Sequence, residues 1–155
     1  MLSINKKSIS IVDVEFGDNC TIIEPVNLYG CKIGYNTFIG PFVEIQKNVI
    51  IGSNSKIQSH SFICELVTIG NDCFVGHGVM FINDLFAEGK PAGGITDMWK
   101  STFIGDNVSI GSNSTILPVS ICEGVVIGAG SVVTRDIDEK GVYVGNPARK
   151  IKEIK

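Results

Sequence analysis

From Ile33 onward every sixth residue is large and apolar: Ile33, Ile39, Ile45, Ile51, Ile57, Ile63, Ile69, Val75 and Phe81. Small or β-branched residues fall four places after these, at Thr37, Val43, Val49, Ser55, Ser61, Val67, Cys73 and Val79, and glycine often follows the apolar residue directly, as at Gly34, Gly40, Gly52, Gly70 and Gly76. The same register resumes at Ile104, Ile110, Ile116, Ile121, Ile127 and Val133, and extends backward through Leu28, Ile22 and Phe16. A helix would repeat at about 3.6 residues and a plain strand at about 2, so neither explains a period of six. Six residues suit a short strand and a tight corner, with the apolar residue and the small one two places before it pointing inward and glycine easing the turn. Three such stretches close one coil of a triangular prism, and coils stack at about 4.8 Å, the interstrand spacing. The expected architecture is all-β, a parallel β-helix of six coils in one domain over residues 1–155.

The ladder breaks once. After Phe81 the next apolar rung appears only at Ile104, so residues 85–102 are expected to form an extruded loop. Long irregular insertions in compact domains are more often functional than idle. This one also holds Trp99, the chain's single tryptophan, which needs a surface to cover it. After Val133 the pattern dissolves, leaving an expected C-terminal tail at about 136–155.

Composition narrows the function classes. Thirteen Lys+Arg against 16 Asp+Glu give a net charge of −3, without the basic excess that a nucleic-acid or membrane-surface role calls for. The start, Met1-Leu2-Ser3-Ile4-Asn5-Lys6-Lys7, lacks the apolar block of a signal peptide, and five cysteines without a Cys-x-x-Cys pair indicate neither a disulfide framework nor a zinc ribbon. A cytoplasmic location is expected. No metal site is expected either, since zinc enzymes built on a similar prism need three histidines and this chain has 2.

The repeats, the loop, Val126-Ile127-Gly128-Ala129-Gly130-Ser131-Val132-Val133-Thr134 and Gly145-Asn146-Pro147-Ala148-Arg149 together resemble the hexapeptide-repeat acyltransferases. That resemblance implies a left-handed β-helix, a homotrimer, and acetyl-CoA bound as co-substrate between subunits. Within the family, Lys56-Ile57-Gln58, Cys64-Glu65 and Gly78 to Asp84 are most similar to the N-acetyltransferases of nucleotide-linked 3-amino sugars. The implied acceptor is a dTDP- or UDP-linked amino deoxy sugar, in a pathway such as lipopolysaccharide O-antigen biosynthesis. Alternatives are O-acetylation of a sugar or antibiotic, and a non-catalytic β-helix scaffold. Ser109, where the rival branches often carry tryptophan, weakens the O-acetyl reading.

Glu65 and Asn83 each stand two places past an inward residue, Ile63 and Phe81, which puts them on one corner of consecutive coils, facing out. A carboxylate over an amide suits a sugar amine and its neighbouring hydroxyl, and the resemblance implies that role; Asp84 adjoins them as a third substrate candidate. His77, two past Val75, occupies the neighbouring corner. It reads equally as a general base and as an exposed corner residue. The resemblance places the base of other branches near Phe86, and implies that the departing CoA thiolate takes the proton in some amino-sugar enzymes. Ser112 and Ala129, each two past an inward isoleucine, stack on adjacent coils, where small side chains let a pantetheine arm run along the backbone. By resemblance Thr134, Arg135, Arg149 and Lys152 complete the cofactor site, the basic groups meeting its phosphates.

Overall fold

The computed structural model describes residues 10–154; the first seven residues, expected to lack a signal peptide, lie outside them. The chain winds through short parallel strands that form three flat sheets, a prism with faces of seven, six and eight strands. The first face runs from Ile11–Val12 to Val132–Val133, the second from Glu15–Phe16 to Ser120–Ile121, and the third from Thr21–Ile22 to the C-terminal strands. Successive coils are in the register set by the sequence: Ile45 lies over Ile63, Ile51 over Ile69, and Ile57 over Val75. Across the insertion the register is kept, Ile69 facing Ile104.

Inward positions form a continuous core, with Ile39, Ile45, Ile57, Ile63, Ile104 and Ile116 fully buried. The small inward residue has a polar reason as well as a steric one. Buried Thr37, Ser55 and Ser61 donate their hydroxyls to the carbonyls of Gly52, Gly70 and Gly76, at 3.0, 3.1 and 2.8 Å. A buried hydroxyl without such a partner would cost about 1–3 kcal/mol.

The role of glycine differs from expectation. The left-handed residue of each corner is usually three places past the inward residue, at Asn36, Asn48, Asn54, Asp72, Asn107 and Asn113. Asparagine and aspartate tolerate that conformation well. The glycine directly after the apolar residue instead makes room for the next coil: a Cβ on Gly52 would run into the backbone of Gly70.

Two further differences concern the ends. The first face has seven strands, one coil more than the ladder implied, because Ile11–Val12 pairs with Asn27–Tyr29. The expected tail is also ordered: Ile137 bridges to Ile121, Val142–Gly145 lies parallel on Val126–Ile127, and Ala148–Lys152 folds back antiparallel. A search for a period of six misses this hairpin, whose signal is the turn at Gly145-Asn146-Pro147.

The insertion leaves the prism at the edge between the first and second faces. Its base is closed by the backbone N–H of Lys100 donating to the Asn83 carbonyl at 2.9 Å, and a single turn of 3-10 helix covers Thr96–Met98. Trp99 is half-buried within the single chain.

Candidate functional site

Glu65 and Asn83 meet as the sequence requires. The side-chain Nδ2 of Asn83 donates to the backbone carbonyl of Glu65 at 3.3 Å, which leaves Asn83 Oδ1 free of that bond. Glu65, expected to face solvent, is only 9% exposed. Lys47 from the coil below approaches its carboxylate at 3.7 Å, and Gln46 Oε1 accepts the Glu65 backbone N–H at 3.3 Å. Neighbours on both coils therefore flank the carboxylate. Burial first, then the carboxylates of Glu44 and Glu65, push the Tyr29 hydroxyl above its ordinary pKa, so a second carboxylate, Glu44, acts on the same neighbourhood as Glu65.

Asp84 does something other than wait for a substrate. Its Oδ1 accepts the N–H of Phe86 at 2.9 Å and its Oδ2 that of Ala92 at 2.7 Å. Both oxygens are engaged in turning the loop, and Ala92 is tucked in as a result.

His77, Ser112 and Ala129 occupy a different edge, between the third and first faces. The His77 N–H donates to Ser112 Oγ at 3.2 Å, and the carbonyls of His77 and Ser112 accept from Asn113 and Gly130, each at 2.8 Å. The His77 side chain is exposed, and Ala129 presents only a methyl group. Gly78 and Gly130, left-handed in the next position, keep this edge shallow. It forms a smooth strip of backbone ending on an imidazole.

At the C-terminal end a cavity of about 210 Å³ is lined by Thr134, Arg135, Tyr143, Arg149 and Lys150, among others. Three predicted cofactor residues thus come together, joined by Lys150 and Tyr143, which the sequence reading did not single out. The hairpin brings them in, so the missed tail is also the missed part of the site. Lys150 bonds to Glu153 at 2.8 Å and Glu139 at 3.0 Å, which raise its pKa and hold it as ammonium. Arg149 is exposed, and among the described residues its guanidinium donates only to the Ala148 carbonyl, at 2.8 Å. Lys152 lies on the outer strand and does not line this cavity. Among the described residues no group of three or more His, Cys, Asp or Glu could hold a metal ion, and no helix is long and apolar enough to cross a membrane.

The candidate residues therefore occupy two edges of one prism. Glu65, Asn83, Thr134 and Arg135 lie on the edge from the first face to the second, while His77, Ser112 and Ala129 lie across the first face from them.

Residues 30–65 match the bacterial transferase hexapeptide family (six repeats), and residues 102–135 the hexapeptide repeat of succinyl-transferase. The bifunctional protein GlmU of Thermotoga petrophila is 34% identical over 163 residues, covering 88% of this chain and 36% of that protein. The chain thus spans about a third of the length of the curated relatives it matches. Among solved structures, a mutant of AntD, an N-acyltransferase from Bacillus cereus in complex with dTDP and coenzyme A, superposes with a TM-score of 0.69 at 25% identity, over 92% of this chain and 83% of that one. The hexapeptide-repeat acetyltransferase VCA0836 of Vibrio cholerae, complexed with acetyl coenzyme A, gives 0.68 at 25% identity, over 81% and 72%.

Proposed function

Since the chain belongs to the hexapeptide-repeat transferase family, we propose that it transfers acetyl from acetyl-CoA to the 3-amino group of a dTDP- or UDP-linked amino deoxy sugar. The observation that carries this reading is the Glu65–Asn83 rung at the base of the loop, a carboxylate and an amide joined across consecutive coils, with an ammonium group, that of Lys47, already 3.7 Å from the carboxylate. Similarity to an N-acyltransferase crystallised with dTDP and coenzyme A supports the same substrate class.

In the proposed mechanism the sugar arrives as an ammonium ion attracted to Glu65, while Asn83 Oδ1 accepts from the adjoining hydroxyl. After losing one proton to solvent, the neutral amine attacks the thioester carbonyl carbon. The C–N bond forms, the C–S bond breaks, and the departing CoA thiolate takes the proton that the nitrogen must lose. Binding contributes chiefly by holding the two reactants in attacking geometry. The cofactor phosphates meet Arg149 and Arg135, and the pantetheine arm runs along Ser112 and Ala129. A homotrimer reconciles the two edges: the His77–Ser112–Ala129 edge of one copy meets the Glu65–Asn83 edge of the next. The setting is cytoplasmic synthesis of a surface polysaccharide.

Thiol release from acetyl-CoA, assayed against dTDP- and UDP-linked 3-amino sugars and their 3-hydroxy counterparts, tests this reading. Turnover confined to the amino sugars is the expected result. Turnover of the hydroxy sugars alone would make the protein an O-acetyltransferase.

A further inference from the structure

Phe42 is a large aromatic residue in a conformation that disfavours it. Its φ is +60°, left-handed, and the residue is 57% exposed. The coil imposes this conformation at the same place on other corners, where asparagine or aspartate usually stands, so a bulky aromatic ring here is the exception. The ring stacks on His60 from the next coil, with centroids 4.9 Å apart and planes at 29°. One side of Phe42 is thereby braced and oriented.

Phe42 lines a cavity of about 270 Å³ together with Pro25, Val26, Asn27, Val43 and Glu44. Ligand pockets run from about 300 to 1,000 Å³, so this one takes a ring and its sugar rather than a whole cofactor. No cation is in the lining, so a phosphate would have to lie outside it. Asn27 contributes the polar edge. Its Oδ1 is shielded from solvent and finds no hydrogen-bond partner among the described residues, an unfavourable arrangement until a donor is supplied. The terminal torsion of an asparagine is soft, so the amide can turn to meet one.

A primary amide carries an acceptor and a donor side by side, the complement of an imide, which presents N–H beside C=O. We propose that this cavity binds the pyrimidine base, thymine or uracil, of the acceptor nucleotide. The ring lies on Phe42, its N3–H donates to Asn27 Oδ1, and a ring carbonyl accepts from Asn27 Nδ2. Phe42 lies on the same edge as His77, two coils or about 10 Å toward the N-terminus, which leaves room for a diphosphate between base and sugar. The acidic Glu44 and the remoteness of the Arg149 cavity set this site apart from one for coenzyme A. The inference rests on the nucleotide-linked acceptor proposed above, but the site can be tested without turnover.

Calorimetric titration with dTDP, UDP and ADP, free of any sugar, is the test. The unmodified protein should bind dTDP and UDP and discriminate against ADP, and N3-methylation of the thymine should weaken binding. Base–aromatic stacking predicts a loss of about 5- to 150-fold in dTDP affinity for Phe42→Ala, with Phe42→Tyr near the original value. Coenzyme A affinity and the mass by light scattering should stay unchanged. Unaltered dTDP binding in Phe42→Ala would overturn the proposal, as would absence of dTDP and UDP binding in the unmodified protein. Dissociation of the assembly by Phe42→Ala would also overturn it, by making the ring a subunit contact. Phe42-dependent dTDP binding without acetylation of any nucleotide amino sugar would leave the site standing and sink the acceptor reading.

Discussion

Asn83 stands one coil above Glu65 and donates its side-chain N–H to the Glu65 carbonyl at 3.3 Å, so the two candidate substrate groups are fixed to each other by the backbone of the prism. The rung leaves Asn83 Oδ1 and the Glu65 carboxylate as the acceptors for a ligand. Asn83→Ala and Glu65→Ala should each lower kcat/KM about ten-fold or more, since a hydrogen bond to a charged group is worth about 1.5–3 kcal/mol. His77→Ala should cost less, because a true general base contributes about 10²- to 10⁴-fold. The ascending limb of the pH profile should persist in His77→Ala if the substrate amine sets it. A loss above about a hundred-fold with disappearance of that limb would transfer the role to His77.

How much of this was legible beforehand depends on which residues carry each feature. The rungs Ile33 to Phe81 fix the coil, and counting hexads from them places Glu65, Asn83, His77, Ser112 and Ala129 on their edges. Every side chain faces in or out by its place in the six, so the register follows from the sequence alone. The depth of Glu65 does not follow, because it depends on Lys47 and Asn83 from other coils. Asp84 reads the same in sequence whether it binds substrate or turns a loop; only its two bonds, to Phe86 and Ala92, decide. The C-terminal hairpin abandons the hexad and takes Tyr143 and Lys150 with it.

Asp84 should matter through the loop. Asp84→Ala removes the acceptors of two backbone N–H groups at once, and protease cleavage within residues 85–102 should accelerate at least ten-fold while the thermal midpoint of the prism moves little. Asp84→Asn keeps one acceptor and should fall between the two. Cleavage as slow in Asp84→Ala as in the unmodified protein would show that the loop is held by other contacts.

The C-terminal cavity yields a prediction with an internal control. Arg149 is exposed and has no carboxylate within ion-pairing distance among the described residues, so it is available for a phosphate. Arg149→Ala should raise the KM for acetyl-CoA several-fold, and that for the dephospho form less, because the second donor lacks one phosphate group. Equal KM values for both donors before and after substitution would remove Arg149 from the site.

The buried thiols give a stability prediction at high pH. Burial pushes the Cys31 thiol up to about 11 and that of Cys64 to about 12, from an ordinary value of 9.0. Between these values the unfolded chain releases protons that the folded chain keeps, so stability must fall as pH rises above about 9. The urea midpoint should decline from there toward pH 11, and less steeply in Cys31→Ala and Cys64→Ala variants compared with their own midpoints at pH 7. Thiol reagents at pH 8 should modify the half-buried Cys20 and Cys122 well before these two. A midpoint flat to pH 11 would mean that the thiols gain access to water without unfolding.

Whether one chain or two make a site can be asked by mixing two impaired variants. Ala129→Trp fills the smooth edge beside Ser112, on an exposed methyl where a larger side chain does not disturb the core. Asn83→Ala damages the other edge and leaves Ala129 intact. In a closed ring each site would take one edge from each of two neighbours. Trimers reassembled from equal amounts of the two variants should then regain about a quarter of the unmodified activity, because one arrangement in four joins two undamaged edges. If both edges served a site within a single chain, every site would carry one lesion and mixing would restore nothing. A reassembled mixture no more active than the separate variants, with exchange of chains confirmed by mass spectrometry, would therefore rule out the shared site, while recovery above them would locate the reaction between copies.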